Sequence, residues 1–131
     1  MKTIFITGAA AGIGLATARH FSQKGWFVGL YDVNQEGIKQ ALASGDFPSA
    51  CGGFCDVTSQ DSIKHALADF ATHTDGLLSV LVNNAGVLSA GAFSDIDAGR
   101  HDLMMDINVK GYTHVAQLAF PYLQKTHGSC M

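Results

Sequence analysis

Residues 7–14 read TGAAAGIG, three glycines and three consecutive alanines placed directly after the apolar run Ile4-Phe5-Ile6 and directly before a stretch of helical period. In a strand-to-helix turn, a phosphate reaches the helix N-terminus only where the backbone comes close and its N–H groups point outward. Gly8 allows a tight exit from the strand, while Gly12 and Gly14 allow close approach of backbone to pyrophosphate and of helix to sheet. Ala9, Ala10 and Ala11 stay small for related reasons. A tight turn between packed elements is the plain alternative, and the surroundings decide between the two. Eighteen residues after Gly14, at the end of the next apolar run, stands Asp32, where a carboxylate accepts hydrogen bonds from an adenosine ribose diol. The spacing is G-x-x-x-G-x-G, not the G-x-G-x-x-G of the general dinucleotide fingerprint.

An export signal competes for the same residues. Lys2 precedes a largely apolar run ending in Ala16-Thr17-Ala18, an A-x-A spacing that a signal peptidase can cut. Thr3, Thr7 and the glycines interrupt that run, and a single cation precedes it, so the reading fails on continuity. With 131 residues, 47% apolar and 15% charged, the chain has the balance of one soluble globular domain. A net charge of -3 with scattered Lys and Arg leaves no basic face for nucleic acid, and no apolar run is long enough to span a bilayer. Cys51, Cys55 and Cys130 are odd in number and unlike a secreted disulfide framework, which fits a reducing cytoplasm. The histidines, His65, His73 and His101 among them, lack metal-ligand spacing, and no metal is expected.

Apolar runs of strand length alternate with stretches of helical length, the signal for right-handed βαβ crossovers and a parallel sheet. Strands are expected at Thr3 to Thr7, Trp26 to Tyr31, GGFCDV (52–57) and LSVLV (78–82). A first helix opens near Gly12 and closes at Gly25, and EGIKQALASG reads as a second closed by Gly45. Thr58 to Asp61 spells a T-x-x-D capping box, starting a helix with Ile63, Ala66, Leu67 and Phe70 on one face. A looser segment runs from Val87 to Gly99. Beyond it a long helix over roughly 100–125 is expected, bent near Asn108 and Pro121 and ended by Gly128.

TGAAAGIG followed by Asp32, then Asp56-Val57 after the third strand, NNAG at 83–86 and INVKG at 107–111 together resemble the short-chain dehydrogenase/reductase family. The resemblance runs from the second residue to the last. It implies an α/β, Rossmann-type doubly wound parallel sheet in the order 3-2-1-4, truncated before strand five, with residues 1–131 as a single NAD(P)-binding domain. Carried over residue by residue, it implies that Gly8, Gly12, Ile13 and Gly14 hold a pyrophosphate, Asp32 the adenosine ribose, and Asp56 and Val57 the adenine. Asn84, with Ala85 and Gly86 beside it, falls near the nicotinamide ribose. Asn108 matches the active-site asparagine. For Asn83 and Asn84 the alternative role is that of turn residues bonding the sheet's backbone, true of one while the other touches cofactor. For Asn108 it is relaxation of a helix bend.

Members of this family transfer a hydride between a nicotinamide and an alcohol or carbonyl, and move a proton with a tyrosine made more acidic by a lysine, in the spacing Y-x-x-x-K. Here the residues four after Tyr31, Tyr112 and Tyr122 are Gln35, Ala116 and Thr126, and Ser129 lies too early to be the catalytic serine. The expectation is therefore a cofactor-binding half. It prefers NAD to NADP, because Asp32 repels a ribose 2′-phosphate and neither Ala11 nor Val33 offers a cation. The expected partners are a small-molecule substrate and, by the resemblance, a second copy of the chain. A noncatalytic nucleotide-binding module acting through a partner is the alternative.

Overall fold

The computed structural model describes residues 1–86 and 93–131. Its elements in chain order are β1 (Thr3–Thr7), α1 (Gly12–Gln23), β2 (Phe27–Asp32), α2 (Gln35–Ala43), β3 (Ala50–Phe54), α3 (Gln60–Thr74), β4 (Val80–Val82), α4 (Ala98–Met105), α5 (Tyr112–Thr126) and β5 (Ser129–Cys130). A short 3-10 turn, Phe93–Asp95, precedes α4, and a π-helical turn, Asp106–Gly111, joins α4 to α5. All strand pairs are parallel, in the order β3-β2-β1-β4-β5. The expected 3-2-1-4 order holds. It is extended by the two-residue β5, whose Ser129 pairs with Val80 and whose Cys130 pairs with Leu81.

Strand side chains alternate between the two faces and feed two cores. Ile4, Ile6, Val28 and Leu30 pack with Ile38 and Ala41 of α2 and Ala18 of α1. Phe5, Tyr31 and Leu81 point the other way, against Ile63, Leu67 and Phe70 of α3 and Val115 and Ala119 of α5. In this second layer Phe5 stacks on Tyr31 at 4.5 Å between centroids and meets Phe70 edge-on at 5.4 Å. Gly29 sits under that cluster because a Cβ there would lie 2.6 Å from the Phe70 ring. The stripe expected on α3 is buried as read.

Several boundaries differ from the expectation. β3 begins two residues early, at Ala50, where it pairs with Val28, and Cys55 and Val57 are buried in the loop beyond the strand. β4 is confined to Val80–Val82; Leu78 is buried ahead of it, and the Ser79 amide donates to the Thr3 carbonyl instead. The N-cap of α3 is Ser59, whose hydroxyl accepts from the Ser62 amide, because the helix begins at Gln60; the Thr58 hydroxyl donates to Asp56 instead. The long helix starts at Ala98, capped by Asp97, and the bend expected at Asn108 is the π-helical turn. Pro121 lies inside α5. His127, not Gly128, takes the left-handed conformation that ends α5, at φ 52°. Gly128 is required for another reason, since a Cβ there would lie 2.9 Å from the Leu78 carbonyl oxygen. Of the loose segment from Val87 to Gly99, residues 87–92 lie outside the described residues. No helix among the described residues is long and apolar enough to cross a membrane.

Candidate functional site

The strand order reverses between β1 and β4, so the loops leaving their C-terminal ends diverge and leave a crevice, the place where open parallel sheets hold ligands. The loop after β1 is TGAAAGIG. Gly8 and Gly12 adopt φ of +67° and +57°, the left-handed region that a side chain disfavours. Gly14 is required by space: a Cβ there would collide with the Gly8 carbonyl oxygen and come within 2.6 Å of the Asn84 amide nitrogen. Ala11, in extended conformation, precedes α1 and offers it no side-chain cap, and the first turn carries no acidic residue. The opening N–H groups of a helix have no intrahelical acceptor, so this end of α1 presents donors and positive dipole to the crevice. Ile13 is 78% exposed on that turn, leaving backbone as its contribution to an anion.

The loop is tied down from both sides. Toward β2, the Ala9 amide donates to the Tyr31 carbonyl at 3.2 Å, and the Ala10 amide donates to Asp32 Oδ2 at 3.0 Å. The other Asp32 oxygen accepts from the Asn34 amide at 2.9 Å. Toward β4, Asn84 Nδ2 donates to the Gly8 carbonyl at 3.1 Å. Thr7 Oγ1 accepts from the amides of Asn84 (3.1 Å) and Ala85 (3.0 Å) and donates to the Val82 carbonyl. The sequence gives Thr7 a place at the end of the first strand but no role in the site. Its signal was present, a hydroxyl at the last position of the strand that opens the glycine loop. Both asparagines of NNAG bond backbone: Asn83 Nδ2 donates to the Tyr112 carbonyl at 3.2 Å.

Asp32, Asp56 and Val57 come together with Gly8, Ala85 and Gly86 around one cleft, whose wall is completed by Val33, Cys55 and Ile107. Asp56 is oriented by its own turn: Oδ1 accepts from the Thr58 amide at 2.9 Å and hydroxyl at 2.7 Å. Val57 is fixed by the π-helical turn, since Gly111 leaves room for its side chain where a Cβ would lie 2.9 Å away. Cys55 is buried at the back of the cleft. Desolvation, then the charges of Asp56 and Asp32, push its thiol up to about 12, so it stays protonated and unreactive at neutral pH. Asn108 lies on the π-helical turn across from Gly86, where a Cβ would be 3.2 Å from Asn108 Oδ1 and 3.7 Å from Tyr112 Oη. The glycine at 86 thus leaves room for both polar groups beside the end of the cleft that it lines.

The geometry suits a dinucleotide: a backbone anion cradle in the middle, carboxylates on one side, and an amide and a phenol on the other. Comparison with known proteins agrees with that class of site. The family model for short chain dehydrogenases matches residues 2–130. The chain is 38% identical over 125 residues to "Oxidoreductase UcpA" of Salmonella typhimurium, covering 95% of this chain and 47% of that protein. It is 33% identical over 130 residues to "Zerumbone synthase" of Zingiber zerumbet, covering 94% and 48%. The chain therefore spans about half the length of the curated relatives it matches. The fold superposes with a TM-score of 0.91, at 22% identity, on an alcohol dehydrogenase from the archaeon Thermococcus sibiricus complexed with 5-hydroxy-NADP, covering 99% of this chain and 56% of that one.

Proposed function

The chain belongs to the short-chain dehydrogenase family, and from that premise we propose that it binds NAD(H) on the glycine loop and serves hydride transfer between that cofactor and a small-molecule alcohol or carbonyl. The observation that carries the reading is the loop: two glycines at positive φ, a third with no room for a methyl group, and an uncapped helix start free of acidic residues. Gly12, Ile13 and Gly14 would hold the pyrophosphate through backbone N–H groups. Asp32, fixed by two amides, would take the adenosine ribose diol, with the adenine beside Asp56 and Val57. The cofactor, when bound, supplies the hydride chemistry. The residues of this chain bind it, orient it and exclude water.

The preference for NAD over NADP rests on Asp32. A fixed carboxylate where a 2′-phosphate would sit repels it, and the neighbouring Ala11 and Val33 carry no charge to offset that. The side chain of Asn84 is proposed to act on cofactor through the loop it holds by Gly8, with its main chain and those of Ala85 and Gly86 lining the nicotinamide side. Asn108 does not ionise, and its proposed role is to hold a water or backbone group in a proton relay. No tyrosine of the chain is followed four residues later by lysine. A second reading is a nucleotide-binding module that acts through a partner, and the residues encoded after Met131 discriminate between the two. The three cysteines are free, which suits a reducing compartment, and we place the protein in the cytoplasm. Exposed Met105, Val109 and Phe120 along the α4 to α5 run support a homo-oligomer.

Titration of the chain with NAD(H) and NADP(H) tests the reading, alongside NADH absorbance over a panel of ketones and alcohols. Binding of NAD(H) with flat absorbance is expected, and a longer chain carrying a Tyr-x-x-x-Lys segment from the same reading frame should turn over. Failure to bind either dinucleotide overturns the proposal. Robust turnover by the chain alone would mean that another group supplies the proton, with Tyr112 and His114 the first to mutate.

A further inference from the structure

Away from the dinucleotide crevice, where β3 forms the edge of the sheet under α3, three side chains of different chemistry converge. Asp69 and His73 stand four residues apart on α3 and so share one face of the helix. Cys51 reaches that face from β3, opposite Gly29 of β2. A carboxylate oxygen of Asp69, an imidazole nitrogen of His73 and the Cys51 sulfur all lie within 4.8 Å of one another. None of the three lines the crevice, and the nucleotide-binding role leaves them unexplained.

We infer that Cys51, Asp69 and His73 form a binding site for a divalent transition metal ion of the zinc class, which ties the edge strand β3 to α3. The donor set argues for that class: a sulfur and an imidazole with a single carboxylate suit zinc or cobalt, whereas magnesium and calcium require mostly oxygen. Ordinary zinc bond lengths put tetrahedral donors about 3.3–3.8 Å apart. The cluster must therefore tighten by roughly 1 Å, which the exposed side chains of Asp69 and His73 can do by rotamer adjustment while buried Cys51 stays in place. Three protein ligands leave the fourth position to water.

The surroundings orient the donors as outer-shell groups do. Tyr31 Oη donates to Asp69 Oδ2 at 2.7 Å and lies 3.5 Å from Cys51 Sγ. The His73 ring stacks on Phe27, with centroids 6.1 Å apart and planes inclined by 22°. The plain reading of this corner is a tyrosine bonded to Asp69 and to the Cys51 thiol, with the His73 ring packed on Phe27; it does not call for three metal-ligating atoms within reach of one ion. Binding forms a metal–sulfur bond in place of the S–H bond, and the proton leaves to solvent, with no change of oxidation state. The clip would steady the β3 to α3 connection that carries Asp56 and Val57.

The test uses the reduced, metal-free chain titrated with cobalt(II) and then with zinc. One equivalent of cobalt should bind with a sulfur-to-metal charge-transfer band, and zinc should bleach it. His73→Gln and Asp69→Asn alter exposed side chains, so the fold should survive by circular dichroism while metal affinity drops at least about tenfold. Cys51→Ser should remove the band, and His65→Gln, on the same helix and outside the cluster, should leave the affinity unchanged. Absence of the band, its persistence in Cys51→Ser through another thiol such as exposed Cys130, or unchanged affinity in folded His73→Gln would each overturn the site.

Discussion

Gly12 and Gly14 invite the same substitution for different reasons, and Gly12→Ala and Gly14→Ala should fail differently. At Gly14 the new methyl meets the Gly8 carbonyl oxygen and the Asn84 amide. Either α1 shifts off the sheet or the bond from Asn84 to Gly8 breaks. Overpacking of this kind costs about 1–3 kcal/mol, and a part-buried carbonyl left without its donor a similar amount, so a loss of folding stability of about 1–3 kcal/mol is expected from either route and up to about 6 kcal/mol from both. At Gly12 a Cβ meets no protein atom within 4 Å, and the cost to folding is only that of a left-handed alanine, about 1–2 kcal/mol. In the proposed binding mode, that open space is where the phosphate would approach. Displacing one charge-assisted hydrogen bond, worth about 1.5–3 kcal/mol, should lower dinucleotide affinity about 10- to 150-fold. Urea melts followed by circular dichroism, paired with fluorescence titration of NADH, separate the two effects. Gly12→Ala binding as tightly as the parent, or Gly14→Ala as stable as the parent, would refute the assignment of one glycine to ligand approach and the other to packing.

Asp32→Asn keeps one acceptor for the backbone amides but removes the charge, so NAD affinity should fall about tenfold or more and the gap to NADP should narrow. Equal affinity of the unmutated chain for both dinucleotides would end the argument from Asp32. Asn84→Ala leaves the Gly8 carbonyl without its side-chain donor and should cost about 1–3 kcal/mol in a urea melt, whereas a loss confined to NAD binding would put the amide on the cofactor instead. Burial holds the Cys51 and Cys55 thiols up to about 11 and about 12, while an unfolded thiol loses its proton near pH 8.5. Above that pH the folded state binds more protons than the unfolded one. Stability is then full below about pH 8.5 and declines as pH rises toward 11, by about 1.4 kcal/mol per pH unit for each thiol. Cys55→Ala should show a shallower decline than the parent between about pH 8.5 and 10, and parallel profiles would mean that the thiol is not held protonated.

What was legible in the sequence was whatever repeats along one element. The α3 stripe has helical period, β1 is a run of strand length bounded by a glycine, and both lie where the pattern placed them. The errors fall where apolar or capping residues serve the site instead of the element. Cys55 and Val57 make the third strand look displaced toward the loop, because both are buried in the core and in the wall of the cleft although the paired strand ends at Phe54. Thr58 looks like a cap because its spacing to Asp61 is right, but the Asp56 turn that Thr58 closes lies ahead of the helix, which begins at Gln60 and takes Ser59 as its cap. The left-handed end of α5 fell to His127, while Gly128 answers a contact with residues 78 and 79, nearly 50 positions away. Long-range crowding of that kind leaves no local mark.

The glycine loop and NNAG look like two signals in the sequence and are one device in space. A loop with left-handed glycines is pliable, and a phosphate site needs its N–H groups fixed before the ligand arrives. Besides the bonds to Tyr31 and Asp32, the fixing comes from the segment after β4: Asn84 holds the Gly8 carbonyl, and the amides of Asn84 and Ala85 converge on Thr7. Gly14 is then obliged to be glycine because Asn84 and Gly8 fill the space beside it. Change at any one of these positions is felt at the others, so Asn84→Ala and Gly14→Ala should be markedly non-additive. Both singles lose the same contact between Asn84 and Gly8, and the small residue left at 84 in the double variant relieves part of the crowding at 14. A double-mutant cycle in urea should return a coupling of about 1 kcal/mol or more between these positions. Strict additivity would mean that the two sequence signals stabilise the loop independently and that the bond seen between them carries little of the work.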